Sequence, residues 1–154
     1  MATQSNPCRA TELCLPPPLQ AMDHVYGYAV GLDLTRRDVQ QEARKKGNPW
    51  CLSKGFDRSA PMSELVPRSR VQGVEDAAIS LKVNGKVVQS SRTSKMTWSV
   101  PQIIAQLSQS IELKAGDIIF TGTPEGVGPI NPGDVLEGEV EGIGKLRCTI
   151  APSS

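Results

Sequence analysis

Apolar and polar residues alternate over Tyr26-Gly27-Tyr28-Ala29-Val30-Gly31-Leu32-Asp33, and this period of two predicts a strand. Its second face carries Gly27, Ala29 and Gly31, small enough for another element or a ligand to approach the backbone closely. Thr35 stands as an N-cap with Asp38 three residues on, a capping-box-like start to a helix over residues 36–46. Gly47 and Pro49 stop that helix. Residues 50–67 hold no sustained period and predict irregular chain with one short strand. Leu81, Val83, Val87 and Val88 flank Asn84-Gly85, so residues 79–89 predict a hairpin with a type I′ turn. Ser99 and Pro101 open a second helix that places Ile103, Ile104 and Leu107 on one face. Ala115-Gly116-Asp117 turns into a predicted apolar strand at 118–121, and residues 135–150 read as two strands about Gly142 and Gly144. The pattern is mainly β with two or three short helices, an α+β chain without internal repeat.

Ahead of the first period the text is different. Residues 1–20 hold Pro7, Pro16, Pro17 and Pro18 among polar residues and show no apolar periodicity, which predicts a disordered leader ending by residue 21. They lack the continuous apolar run of a secretory signal, and Arg9 as their only basic residue does not make a mitochondrial presequence. The remaining length, residues 22–151, suits one domain with a real core.

Composition narrows the function classes. Lys+Arg 17 against Asp+Glu 16 gives a net charge of +1, which argues against a broad footprint for nucleic acid or anionic lipid. A weaker reading, nucleic-acid binding through Arg36, Arg37, Arg44, Lys45 and Lys46, is disfavoured by that balance and by only 4% aromatic residues. No apolar run approaches the ~20 residues of a membrane span. Cys8, Cys14, Cys51 and Cys148 form no CxxC pair, which argues against a zinc site or a disulfide scaffold and for a reducing compartment. The single histidine, His24, reads as structural, and no nucleophile elbow accompanies it.

Two segments invite chemistry. The first is Gly31-Leu32-Asp33-Leu34-Thr35-Arg36-Arg37-Asp38-Val39-Gln40, followed by Lys54. Asp33 ends a small-residue strand just before a helix, a position suited to a cation. Arg37 and Gln40, three apart, share a helix face where a guanidinium fork and an amide can grip a carboxylate. On spacing alone, Asp33 serves equally as a turn cap and Arg36, Arg37 and Asp38 as a solvated charged face. The second segment is Thr121-Gly122-Thr123-Pro124-Glu125-Gly126-Val127-Gly128-Pro129. A Gly-rich loop after a strand can turn N–H groups and hydroxyls toward an anion, and it serves equally as a tight connection. It is not a P-loop, and Pro129 and Pro132 forbid the helix of a dinucleotide fingerprint. Glu137, Glu139 and Glu141 alternate along a presumed strand and read as a solvated face rather than a metal site.

Taken in order, these segments resemble the C-terminal domain of the fumarylacetoacetate hydrolase family, nearest its acylpyruvate hydrolase and oxaloacetate decarboxylase/tautomerase branch. The resemblance runs from about Met22 to Ile150. It rests on Tyr26 to Gln40, on Lys45-Lys46-Gly47-Asn48-Pro49-Trp50 and on Lys54-Gly55-Phe56. It continues through Val83-Asn84-Gly85, Pro101-Gln102-Ile103-Ile104, and Gly116 to Gly128. The family implies a mixed β-sandwich roll, usually dimeric, that binds Mg²⁺ or Mn²⁺ and acts on β-dicarbonyl or β-keto acids. The metal chelates neighbouring substrate oxygens and stabilises an enolate. By the same resemblance Asp33 is a metal carboxylate, Arg37, Gln40 and Thr123 contact substrate, and Lys54 is the active-site lysine. A cytoplasmic enzyme is implied, or a mitochondrial one in a eukaryote. The family's Glu-x-Glu metal pair and its water-activating His and Glu have no counterpart in residues 1–21, which hold only Glu12. That departure implies a roll incomplete at its N-terminal side, and it motivates a second reading as a catalytically silent homologue or interaction module.

Overall fold

In the computed structural model, residues 18–152 are described. Their helices are α1 (Pro18–Ala21), α2 (Arg37–Lys45), α3 (Cys51–Lys54) and α4 (Val100–Leu107). Their strands are β1 (Gly27–Tyr28), β2 (Val66–Pro67), β3 (Ala78–Val83), β4 (Lys86–Arg92), β5 (Val135–Val140) and β6 (Gly144–Thr149). The architecture is mainly antiparallel β with short helices, as the pattern predicts. The expected leader falls outside the described residues except for its last four, which form α1.

Four strands make one antiparallel sheet in the order β4-β3-β5-β6. The predicted hairpin is β3–β4, and Asn84 and Gly85 sit at φ 51° and 78°, the left-handed pair that a type I′ turn requires. Direct pairing of Ile79 with Val140, Leu81 with Gly138 and Val83 with Leu136 puts these residues on one face. Leu146 and Cys148 of β6 join that face opposite Gly138 and Leu136. The other face carries Lys82, Glu137, Glu139, Lys145 and Arg147. There Lys145 pairs with Glu139 at 3.1 Å and Arg147 with Glu137 at 3.6 Å, the solvated charged face expected of those glutamates.

The apolar face is covered by the extended segment that follows β1. Val30 N donates to Ser63 Oγ at 2.9 Å, while Val30 O accepts from Ser63 N at 2.8 Å. Leu32 N donates to Pro61 O at 3.0 Å and Leu34 N to Ser59 O at 2.8 Å, continuing an irregular antiparallel ladder. This alternation turns Val30 and Leu32 onto the sheet. Val30 clusters with Ala77, Val140 and Leu146, and Leu32, Ile79 and Ile143 pack around them. Gly138 is the reason the segment can lie so close: a Cβ there would stand 3.3 Å from Val30 Cγ1. Gly27 plays the same part beside β2, where a Cβ would fall 2.3 Å from Val66 O, so the small-residue face receives another element as predicted. The strand itself is shorter than the alternation suggests, because only Gly27 and Tyr28 find a regular partner and Gly31 adds a single bridge to Met62.

A second compact unit gathers residues 18–26 and Met96–Thr121. In it α4 starts on a capping box between Ser99 and Gln102, with Pro101 in its first turn, and buries Ile104. α1 packs against α4 and Ala21 is fully buried.

Three local expectations fail. Residues 118–121 form no strand, and Ile118 and Phe120 are 62% and 43% exposed: an apolar run becomes a strand only beside a partner, and none pairs with it among the described residues. Residues 50–67 contain the short helix α3, too brief for periodicity to reveal. Thr35 is not the N-cap of α2. Arg36 holds that position without a side-chain cap, and the Thr35 hydroxyl is engaged elsewhere.

Candidate functional site

The ladder that turns Val30 and Leu32 inward turns Asp33 and Thr35 to the opposite side. There α3 delivers Lys54, whose Nζ donates to Asp33 Oδ2 at 2.5 Å and to Thr35 Oγ1 at 3.0 Å. The local sequence fixes this meeting. Ser53, fully buried, donates its hydroxyl to Trp50 O at 2.6 Å and offers its own carbonyl to Arg36 N at 3.0 Å. The Arg36 guanidinium lies 4.5 Å from the centre of the Phe56 ring, a cation–π contact just past Lys54. α3 is thus tied to the segment at its C-terminal end, where its last residue presents the ammonium. Lys54 and Asp33 side chains are 37% and 50% exposed, so the pair remains open to a small solute.

Arg37 and Gln40 come together as their spacing predicts. Arg37 Nη1 donates to Gln40 Oε1 at 2.5 Å, and Gln40 is 9% exposed in the otherwise solvated α2. A buried amide oxygen orients the guanidinium and leaves its other N–H groups free to donate. Thr123 sits in the third group. Its hydroxyl accepts from Gln89 Nε2 at 3.0 Å, and the same nitrogen donates to Pro124 O at 2.7 Å. Among the described residues no hydrogen bond or ion pair joins these three groups to one another. The hollows on the open face of the sheet, lined by Ser80, Lys82, Glu137 and their neighbours, contain none of the five expected residues.

Sequence reasoning missed two participants, Thr35 and Gln89. The position of Thr35 before the helix points to capping, yet a hydroxyl two residues from Asp33 along an extended segment shares its face. Gln89 gives no periodic signal of its own.

The metal expectation meets a limit. Among the described residues no group of three His, Cys, Asp or Glu side chains could hold a metal ion, and Asp33 already neutralises Lys54. Magnesium and manganese favour several oxygen donors, so the described side chains alone do not fit such a cation.

The described residues thus present three separate polar groups: an ammonium–carboxylate pair, a guanidinium–amide pair and a Gly-rich loop bonded to Gln89. The family described as fumarylacetoacetate (FAA) hydrolase C-terminal matches residues 4–151, and the chain belongs to that family. It is 49% identical over 134 residues to a fumarylpyruvate hydrolase of Ralstonia sp, covering 87% of this chain and 69% of that one. It is 45% identical over 137 residues to the mitochondrial oxaloacetate tautomerase of Mus musculus, covering 89% of this chain and 62% of that one. The fumarylpyruvate hydrolase of Pseudomonas aeruginosa, solved with Mn²⁺ and pyruvate, superposes with a TM-score of 0.88 at 46% identity, over 91% of this chain and 60% of that one. The chain spans about three fifths of the length of the relatives it matches. Among the described residues no helix is long and apolar enough to cross a membrane.

Proposed function

We propose that this chain is the acid-gripping part of a divalent-metal-dependent enzyme acting on β-dicarbonyl acids. The reaction is carbon–carbon hydrolysis of an acylpyruvate, or decarboxylation or tautomerisation of oxaloacetate. The observation that carries the reading is the Asp33–Lys54–Thr35 cluster, in a chain similar along most of its length to a fumarylpyruvate hydrolase and an oxaloacetate tautomerase.

The roles follow from what each group can do. Lys54 has three N–H donors, and Asp33 and Thr35 take two of them. The third is left to a substrate oxygen, where a fixed ammonium offsets the charge that develops on an enolate. Arg37, oriented by Gln40, and the Thr123 hydroxyl bind substrate oxygens, the guanidinium favouring a carboxylate. Asp33 is one carboxylate of a Mg²⁺ or Mn²⁺ site whose other donors are not among the described residues. Such a cation supplies Lewis acidity toward adjacent carbonyl oxygens. Assembly as a homodimer is part of the same proposal.

The test is turnover of fumarylpyruvate and of oxaloacetate by the chain with Mn²⁺ or Mg²⁺, against Lys54→Ala. Metal-dependent turnover that the substitution lowers by about 100-fold or more is expected, the order of a lost charge-stabilising donor. Absence of turnover by the parent chain overturns the enzymatic reading for this chain. A second reading, a catalytically silent homologue or interaction module, is favoured by the lack of a three-donor metal cluster among the described residues. Tight stoichiometric Mn²⁺ binding in calorimetry would count against it.

A further inference from the structure

We propose that Gln89 is a positioning residue for anion recognition at the Gly-rich loop: it fixes the loop and leaves the Thr123 hydroxyl hydrogen free to be donated to a ligand. The proposal rests on the substrate role given above to Thr123.

A displaced register brings Gln89 to the loop. Counted back from the turn, Val83 pairs with Lys86 and Lys82 with Val87, so regular pairing would set Leu81 opposite Val88. The register shifts instead, and Leu81 faces Gln89, leaving Val88 as the extra residue of a β-bulge. One inserted residue reverses the faces of everything beyond it. Val87 is left 51% exposed, whereas Gln89 turns to the covered face and is 7% exposed. An amide in that place needs partners, and the loop supplies them in Thr123 Oγ1 and Pro124 O. The bulge also receives the loop one turn further on. Gly126, at φ 98°, lies so near Val88 O that a Cβ would stand 2.1 Å from it. The loop is therefore hydrogen-bonded to Gln89 on one side of its apex and packed closely against the Val88 carbonyl on the other.

The direction of the hydrogen bond matters as much as its length. A hydroxyl has one hydrogen and two lone pairs. With a lone pair of Thr123 Oγ1 occupied by the amide N–H, its hydrogen is free to point outward. Thr123 is exposed, so that hydrogen is offered to solvent or to an anion. The Gln89 oxygen would have invited the opposite arrangement and left the hydroxyl an acceptor, which repels a carboxylate.

The experiment is a double-mutant cycle read by calorimetric titration of pyruvate into the full chain with Mn²⁺ present, with Gln89→Met, Thr123→Val and the two combined. Gln89→Met keeps the side chain's length and removes the donor. Loss of one hydrogen bond to a charged ligand is worth about tenfold or more in Kd, so each single substitution is expected to weaken pyruvate by at least that factor. The combined variant is expected to bind no more weakly than Thr123→Val alone, because Gln89 acts through Thr123. Thr123→Ser, which keeps the hydroxyl, is expected to bind within about threefold of the parent, a difference under one ordinary hydrogen bond. A parent that binds pyruvate with Gln89→Met binding equally well overturns the role of Gln89 and leaves the proposed function standing. Additive losses in the combined variant also overturn it, since they mark a general loosening of the sheet. A parent chain that binds no pyruvate sinks both proposals together.

Discussion

At the scale of single residues, the ion pairs divide by what holds them. Lys54 and Asp33 are both substantially exposed, and an exposed pair of this kind stabilises by about 1 kcal/mol at most. Lys54→Ala is therefore expected to leave the thermal midpoint nearly unchanged while removing turnover, a separation that differential scanning calorimetry beside an activity assay reads directly. Asp76 is different in its consequence. It accepts hydrogen bonds from Arg92 and from Ser94, and the Arg92 bond is the larger cause holding its carboxyl below the ordinary 3.8. A carboxyl lowered in the folded state contributes stability above its unfolded value and loses it as pH falls through the folded one. Asp76→Asn is expected to leave stability at pH values below the folded pKa unaffected relative to the parent, and to lower it above 3.8. Urea titrations across pH 2–6 in which parent and variant keep a constant gap would refute this. The two described cysteines also separate: Cys51 is exposed, whereas burial pushes the Cys148 thiol up. Iodoacetamide is expected to label Cys51 ahead of Cys148, since the thiolate is the reacting form.

Secondary structure was legible wherever a residue's own chemistry sets the backbone. Asn84-Gly85 demands a two-residue turn, and Ser99 with Gln102 and Pro101 marks the start of α4. Elements that depend on a partner were legible only in part: residues 135–150 read as two strands and form β5 and β6, whereas others were missed. Residues 118–121 have the composition of a strand and no ladder, and the bulge at Val88 leaves no mark in an apolar Val87-Val88 pair. The same limit applied to the site. Asp33, Arg37, Gln40, Lys54 and Thr123 stand out through their motifs, but the face of β4 that Gln89 occupies is decided by register, a relation between two strands. The hairpin turn itself has a testable weight. Asn84 adopts a positive φ, donates Nδ2 to Asp134 Oδ1 at 2.8 Å and accepts Val135 N at 2.9 Å. It thereby joins the β3–β4 turn to the start of β5. Asn84→Ala loses the left-handed preference and both bonds, and is expected to cost about 1–3 kcal/mol of unfolding free energy in chemical denaturation. Asn84→Gly, which restores the backbone but not the bonds, should recover part of that loss.

For the molecule as a whole, the question is how much of a catalytic site one carboxylate can represent. The chain spans about three fifths of its relatives and belongs to their family, yet among its described residues Asp33 belongs to no group of three His, Cys, Asp or Glu side chains that could hold a metal. Any cation drawn to Asp33 must compete with the Lys54 ammonium at 2.5 Å, and a lone carboxylate on a largely hydrated Mg²⁺ or Mn²⁺ gives little affinity. Two outcomes separate what the rest of the chain contributes. If the described residues are the whole of the metal-binding surface, Mn²⁺ titrates in the millimolar range or weaker, roughly a few kcal/mol of binding, and Asp33→Asn changes little. If further donors complete the site, through residues 1–17 or a second copy of the chain, binding is far tighter and Asp33→Asn weakens it strongly. A second copy as the source makes the affinity depend on protein concentration, because a shared site loses its donors on dissociation. The proposed function requires the tight case. Calorimetric Mn²⁺ titration at two protein concentrations, with sedimentation velocity on the same samples, therefore decides between the proposed enzyme, with an assembled metal site, and a family member that binds the metal weakly.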